Sequence, residues 1–189
     1  MAKTRYTSAD LERFPYDGKR YEIIGGELFV SKQPGWEHQI MCTAIAVGLD
    51  TWSVATNRGA TAGAPGLVFA EDDDVAPDIV WISNERLESA LGPEGHLHAA
   101  PELVVEVLSP GARNARRDRE IKLGLYSRRG VQEYWIVDWM KRRIEVFRRD
   151  GNTLGLAGTP TIDDVLQSPL LPGFVLSLRD LFARLPGAH

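Results

Sequence analysis

Between Pro101 and Asp138 the chain reads PELVVEVLSPGARNARRDREIKLGLYSRRGVQEYWIVD. Leu103 to Leu108 is a short valine-rich run closed by Ser109-Pro110-Gly111, the pattern of a buried strand with a turn behind it. Asn114 can cap a helix running to about Arg129, where Gly130 stops it. Val131 to Val137 is the next strand. Two strands joined through a helix of this length pair in parallel, with a right-handed crossover. The stretch therefore dictates an α/β fold with a parallel βαβ centre, to which the rest of the chain is added.

Two residues break the unit's own pattern. Strand side chains alternate between faces, so Glu106 shares a row with Val104 and Leu108. A carboxylate on an apolar row is costly unless it is paired or bound to a metal. In the helix, Ile121, Leu125 and Tyr126 spread over an arc of roughly 140° at about 100° per residue. Asp118, Lys122 and Arg129 fall inside that arc. The helix is expected to turn a charged seam toward the sheet that carries Glu106.

Elsewhere the signals are local. Ser8 to Phe14 reads as a short helix, and Tyr21–Ile24 and Glu27–Val30 flank a Gly25-Gly26 hairpin turn. Glu37 to about Thr56 is the first long helix, with Glu37, Ile40, Met41, Ala44 and Gly48 on one face. Glu37 is either a functional acid or an ordinary dipole partner at a helix N-terminus. Gly59 to Ala70 reads as two strands around Pro65-Gly66. The run Glu71 to Asp74 lacks the ligand spacing and glycine of a calcium loop and reads as a hairpin tip. Asp78 to Ile82, opened by Pro77, is another buried strand, and Ser83-Asn84 caps a short helix. His96 and His98 lie in a loop without partners at metal-ligand spacing. Arg143 to Arg149 forms a hairpin with the strand before it, and Asn152 to Ala157 adds a strand. Ser168 to Gly173 is a packed loop, and Ser177 caps a last helix, Leu178 to Leu185.

Composition narrows the function classes. One hundred and eighty-nine residues, 43% hydrophobic, suit a single domain over residues 1–189 with a real core. The single cysteine, Cys42, excludes an internal disulfide and a cysteine-rich zinc site. Its apolar neighbours mark it as a core thiol. No apolar run is long enough to span a membrane and the N-terminus has no signal core, so the expected location is the cytoplasm. Net charge is −4, yet residues 113–149 hold 12 Lys/Arg against 5 Asp/Glu, a net of +7 that leaves −11 for the remainder. That asymmetry fits either a basic groove for phosphates or a solvated helix face and hairpin.

Asp78, Glu106 and Lys122 together suggest a chemistry. Two carboxylates on neighbouring strands can share a hard divalent cation, which acidifies a bound water and neutralises phosphoryl charge. A nearby ammonium can orient that water and steady the transition state. The order Pro77-Asp78 and then Glu106 in a valine-rich strand resembles the PD-(D/E)XK restriction-endonuclease-like superfamily. The runs APDIVWIS, PELVVEVLSP, RDREIKLGLYSRRGVQEYWIVD and SPLLPGF, with YEIIGGELFV and Gly35-Trp36-Glu37-His38, resemble the Uma-type family of endonuclease-like bacterial proteins from about Ser8 to Leu185. Where the superfamily pattern has a lysine shortly after the glutamate, this chain has Leu108; the family's lysine has moved to the following helix, which maps onto Lys122. The resemblance also implies an acid on the first helix, for which Glu37 is the candidate, and a metal contact from the Val107 main-chain carbonyl.

The expectation is thus a restriction-endonuclease-like mixed sheet with flanking helices and added hairpins. The activity expected is magnesium- or manganese-dependent hydrolysis of DNA. Asp78, Glu106 and Val107 hold the metal, Lys122 positions the water, Glu37 assists, and Arg113, Arg116 and Arg117 hold the phosphate backbone. Cleaving both strands of a duplex needs two sites, so a homodimer is expected. Two rivals stand beside it: an inert nuclease-like fold that serves as a binding or assembly module, and a structural Glu106–Lys122 ion pair.

Overall fold

The computed structural model describes residues 4–187. In chain order the elements are α1 (Ser8–Leu11), β1 (Arg20–Ile24), β2 (Glu27–Ser31), α2 (Trp36–Thr56), β3 (Gly59–Gly63), β4 (Leu67–Ala70), β5 (Asp73–Val75), β6 (Ile79–Ser83) and α3 (Asn84–Ala90). They continue with β7 (Leu103–Val107), α4 (Ala112–Arg116), a π-helical segment (Arg117–Lys122), α5 (Leu123–Arg129), β8 (Glu133–Asp138), β9 (Arg143–Asp150) and β10 (Thr153–Gly158). Two short strands, β11 (Val165–Leu166) and β12 (Leu176–Ser177), lead to α6 (Leu178–Phe182).

A six-stranded sheet runs β10-β9-β8-β7-β6-β3. Only β7 and β8 pair in parallel within it, Leu103 opposite Glu133 and Val107 opposite Val137; the other pairs are antiparallel. The crossover helix forces that parallel pair, as the sequence predicts. A second sheet of four strands runs β2-β1-β5-β4. Its first hairpin turns on Gly25 and Gly26 at φ of 58° and 75°, a left-handed pair that residues with a Cβ adopt only at a cost.

Alternation along the strands sorts two cores onto opposite faces of the large sheet. Val105, Val107, Trp135 and Val137 pack under Met41, Ile45 and Leu49 of α2 and under Leu178 and Phe182 of α6. Val80, Val104, Leu108 and Ile136 face Leu125 and Tyr126 of α5 and Ile24 of β1. Glu106 belongs by parity to this second face, between the large sheet, the crossover helix and the small sheet.

Three expectations change in detail. The segment Gly59 to Ala70 does form two strands, but they part into different sheets: β3 pairs with β6 and β4 with β5. The acidic run makes its turn at Glu71-Asp72, while Asp73 enters β5 and is buried against Arg129 at 2.5 Å and the Gly25 amide at 2.7 Å. The buried members of α2 are His38, Met41, Ala44, Ile45, Leu49 and Ser53, so Met41 and Ala44 of the expected stripe are buried while Glu37, Ile40 and Gly48 are half-buried. Among the described residues no helix is long and apolar enough to cross a membrane.

Candidate active site

The site forms where two antiparallel strand ends meet. The register Ile79–Val105 and Val80–Val104 carries Asp78, just before β6, to a position beside Glu106, near the end of β7. Both line one cavity of about 190 Å³, together with Arg20, His38, Val107 and Arg117. The strand β1 contributes by alternation: Arg20 and Glu22 point to this side and Tyr21 to the other.

Asp78 is held from three directions. The Arg20 guanidinium donates to Oδ1 at 2.9 Å, while His38 Nε2 at 3.1 Å and the Val107 amide at 2.9 Å converge on Oδ2. Burial works against its charge, but the His38 bond and the positive charges of His38, Lys122 and Arg20 outweigh it and hold this carboxyl well below the usual range. An ionised carboxylate only accepts, so His38 Nε2 carries a proton, and His38 Nδ1 lies 3.5 Å from the Cys42 thiol. Burial keeps that thiol far above its usual value. Among the described residues, His38, Cys42 and Asp78 are the group whose possible ligand atoms lie within 4.8 Å of one another. Here, however, His38 spends one ring nitrogen on each neighbour, so it links the other two.

Glu106 is 2% exposed. Lys122 Nζ and Tyr126 Oη both donate to its Oε1 at 2.8 Å. The same ammonium reaches Glu22 Oε1 at 2.9 Å and is itself wholly buried. One ammonium is therefore shared by two carboxylates, with a third, Asp118, buried beside Arg117 at 3.1 Å. Burial, together with the charges of Asp78, Asp118 and Glu22, pushes the Glu106 carboxyl up to about 8 against the pull of Lys122. Glu22 is also penalised by burial, but Lys122, Arg117 and Arg20 outweigh the penalty and hold it down. The difference is one of neighbourhood: Glu22 faces three cations, and Glu106 faces three other acids. Lys122 loses by burial and gains more from Glu106, Glu22 and Asp118, so its ammonium stays charged.

Asp118 and Lys122 both lie in the π-helical segment Arg117–Lys122. Such bulges interrupt the regular ladder and are frequent at functional sites. This one delivers the charged seam to the sheet.

Comparison with known proteins follows from this geometry. Residues 8–179 match the Uma2 family, described as a "putative restriction endonuclease". The chain belongs to the Uma2 family. No match is found among curated proteins. The fold is similar to the crystal structure of a "putative nuclease belonging to DUF820" from Anabaena variabilis, at a TM-score of 0.74 and 18% identity over 94% of this chain and 97% of that one. At that identity the likeness concerns the fold.

Within this Uma2 chain the expected residues fall into two groups. Asp78, Glu106, Val107 and Lys122 come together, as does Arg117, which also bonds to Ser31 and Asp118. Glu37 is half-buried and is not part of the cavity wall; one residue on, His38 takes the contact to Asp78. Arg113 and Arg116 line a neighbouring cleft of about 470 Å³ that shares Arg117 with the cavity. Much of the remaining positive charge of residues 113–149 is committed to pairing. Arg119 binds Asp138 and Glu145, Arg143 binds Glu145, and Arg148 binds Glu133. Within the cleft, Arg116 pairs with Glu120 and Arg117 with Asp118, so pairing extends into the cleft as well. Sequence reasoning missed Arg20, Glu22 and His38.

The donor set suits the hard cation that the family implies. Asp78 and Glu106 offer carboxylate oxygens, and the Val107 amide already points at Asp78, so the carbonyl of the same extended residue leaves the strand on that side. Four carboxylates (Glu22, Asp78, Glu106, Asp118) face three fixed cations (Arg20, Arg117, Lys122). The surplus negative charge that raises Glu106 is what a bound cation would offset.

Proposed function

We propose that this Uma2 protein is a metal-dependent phosphodiester hydrolase acting on DNA. The observation that carries the reading is the convergence of Asp78 and Glu106 on one small cavity with Lys122 fixed behind Glu106. Asp78, Glu106 and the Val107 carbonyl would hold magnesium or manganese, which take oxygen ligands. Bound there, the ion would acidify a water and neutralise charge on the phosphoryl oxygens. The protein's own groups do the rest. His38 and the Val107 amide fix the Asp78 rotamer. Lys122 and Tyr126 fix Glu106, and the buried ammonium favours a hydroxide at the attacking position. Arg20 and Arg117 lie on the cavity wall, where a guanidinium can take phosphate oxygens in pairs. A twofold homodimer belongs to the same proposal, and light scattering checks it: a monomeric mass counts against the dimer.

Purified protein should cut DNA with magnesium or manganese and not in chelator. Asp78→Asn and Glu106→Gln should each slow it at least about a hundred-fold. Cleavage untouched by chelator or by both substitutions would sink the reading. DNA binding without cleavage in either metal would favour the inert binding module. A second, structural reading rests on the full burial of Lys122 between Glu22 and Glu106, and the stability measurements below separate it from the first.

A further inference from the structure

The catalytic cavity has a second neighbour besides the arginine cleft. Gly18 and Lys19 line both it and an open cavity of about 480 Å³ on the other side of β1. That second cavity is walled by Leu11, Phe14, Tyr16 and Tyr21. Phe14 stacks on Tyr21 with ring centroids 4.8 Å apart and makes a tilted contact with Tyr6 at 6.1 Å. Tyr16 stands wholly in solvent at 106% relative exposure and makes no ring contact among the described residues. The rim between the two cavities is held in place. Gly18 sits at φ 77° so close to Gln33 that an added Cβ would lie 2.5 Å from Nε2, and Lys19 is tied to Asp17 at 2.5 Å.

A phosphate in the catalytic cavity would thus have guanidinium groups toward one side and, toward the other, aromatic surface made by the exposed Tyr16 and by Tyr21, which Phe14 backs. Those are the two ingredients of single-strand binding: a basic groove for the backbone and aromatic rings on which unpaired bases stack. A base-paired duplex keeps its faces buried in its own stack and cannot use the rings without extruding a nucleotide.

We infer that Tyr16 and Tyr21 form a stacking platform for an unpaired nucleobase next to the scissile phosphate, so that the substrate is single-stranded nucleic acid or a strand with flipped or unpaired bases. The inference rests on the nuclease reading for the position of the scissile phosphate.

The test is fluorescence anisotropy with labelled single-stranded DNA, the same strand carrying abasic sites, and the blunt duplex, all in chelator so that binding is read without cleavage. The base-bearing single strand should bind tightest. Tyr16→Ala, at a fully exposed position, and Tyr21→Leu, which keeps the apolar packing, should each weaken it by about five-fold or more while leaving the abasic strand unaffected. Equal binding of base-bearing and abasic strands, with no effect of either substitution, overturns the platform. So does a preference for the duplex, or a Tyr16→Ala protein whose only change is a smaller mass by light scattering, which would assign the face to a second copy of the chain. Metal-dependent cleavage measured separately tells the two proposals apart. Cleavage without base-dependent binding leaves the nuclease and removes the platform; base-dependent binding without cleavage does the reverse.

Discussion

Glu106 of β7 and Glu133 of β8 are buried carboxylates of the same parallel strand pair, 2% and 1% exposed, and their surroundings differ in kind. Glu133 lies at the start of its strand on the α2 side. There the Trp135 indole at 2.6 Å, the Ser168 hydroxyl at 2.9 Å and one guanidinium, Arg148 at 3.2 Å, satisfy it. One acid meets one cation and two neutral donors. Glu106 lies near the end of its strand on the opposite face, shares its ammonium with Glu22 and has Asp78 and Asp118 nearby. A buried acid with balanced charge needs nothing more from the fold. One in surplus negative charge keeps either a proton or an added cation, and that sets the candidate site apart.

The largest expected effect comes from removing the cation on each side. Lys122→Met leaves Glu22 and Glu106 buried without their ammonium and should destabilise by about 3–5 kcal/mol. Arg148→Met removes a guanidinium that is 37% exposed and should lose about 0–1 kcal/mol. Urea denaturation of the two variants checks the contrast, and equal losses would dissolve it. Metal comes next. Magnesium or manganese at a hundred times its Kd should stabilise the parent by about 2.7 kcal/mol. Asp78→Asn and Glu106→Gln should lose this response and Glu133→Gln should keep it, read as thermal shifts in metal against chelator. A response that survives Glu106→Gln would place the ion elsewhere.

Smaller still is the direct comparison of the two glutamates in chelator at neutral pH. Glu133→Gln gives up a charge-assisted bond and leaves donors mismatched, a loss of about 1–3 kcal/mol. Glu106 holds its proton there at a cost that the amide does not carry, so Glu106→Gln should be at least as stable as the parent. A loss at Glu106 as large as that at Glu133 would favour the purely structural ion cluster.

Half of this contrast could be read from the chain. Glu106 betrays itself because its strand is otherwise apolar, and Asp118 and Lys122 because they fall inside the apolar arc of their helix. Glu22 gives no such signal. In RYEIIGGELFV it occupies the polar position of an ordinary alternating hairpin strand, and alternation cannot say that the polar face will be covered by a helix from a hundred residues on. His38 was recoverable: counted from it, Met41, Ile45, Leu49 and Ser53 follow at helical spacing and all are buried, whereas the stripe counted from Glu37 includes the half-buried Ile40 and Gly48. The π-helical turn that aims Lys122 has no composition signature. The parting of β3 and β4 into separate sheets is set by non-local pairing, which Pro65-Gly66 does not encode.

The pH profile of stability is the effect most specific to surplus charge. Below about pH 4.5, the usual glutamate value, Glu106 is protonated in both the folded and the unfolded chain. From there to about 8 the unfolded chain gives up the proton and the folded chain keeps it. The folded state then binds more protons, so stability falls as pH rises through this window, by at most about 1.4 kcal/mol per pH unit for one group. Asp118, also raised by burial against Lys122 and Arg117, adds with the same sign from its own usual value near 3.8. Asp78 has the opposite sign, since its carboxyl is held below its usual 3.8, and its contribution is lost only as pH falls beneath that value. Glu106→Gln should therefore flatten the profile between about 4.5 and 8 and leave the acid limb in place. With metal present the linkage reverses, because an ion that needs the Glu106 carboxylate must displace its proton; stabilisation by magnesium should grow as pH rises. Denaturation midpoints across this window, with and without metal, measure both slopes, and a parent profile as flat as that of Glu106→Gln would remove the surplus charge from the argument.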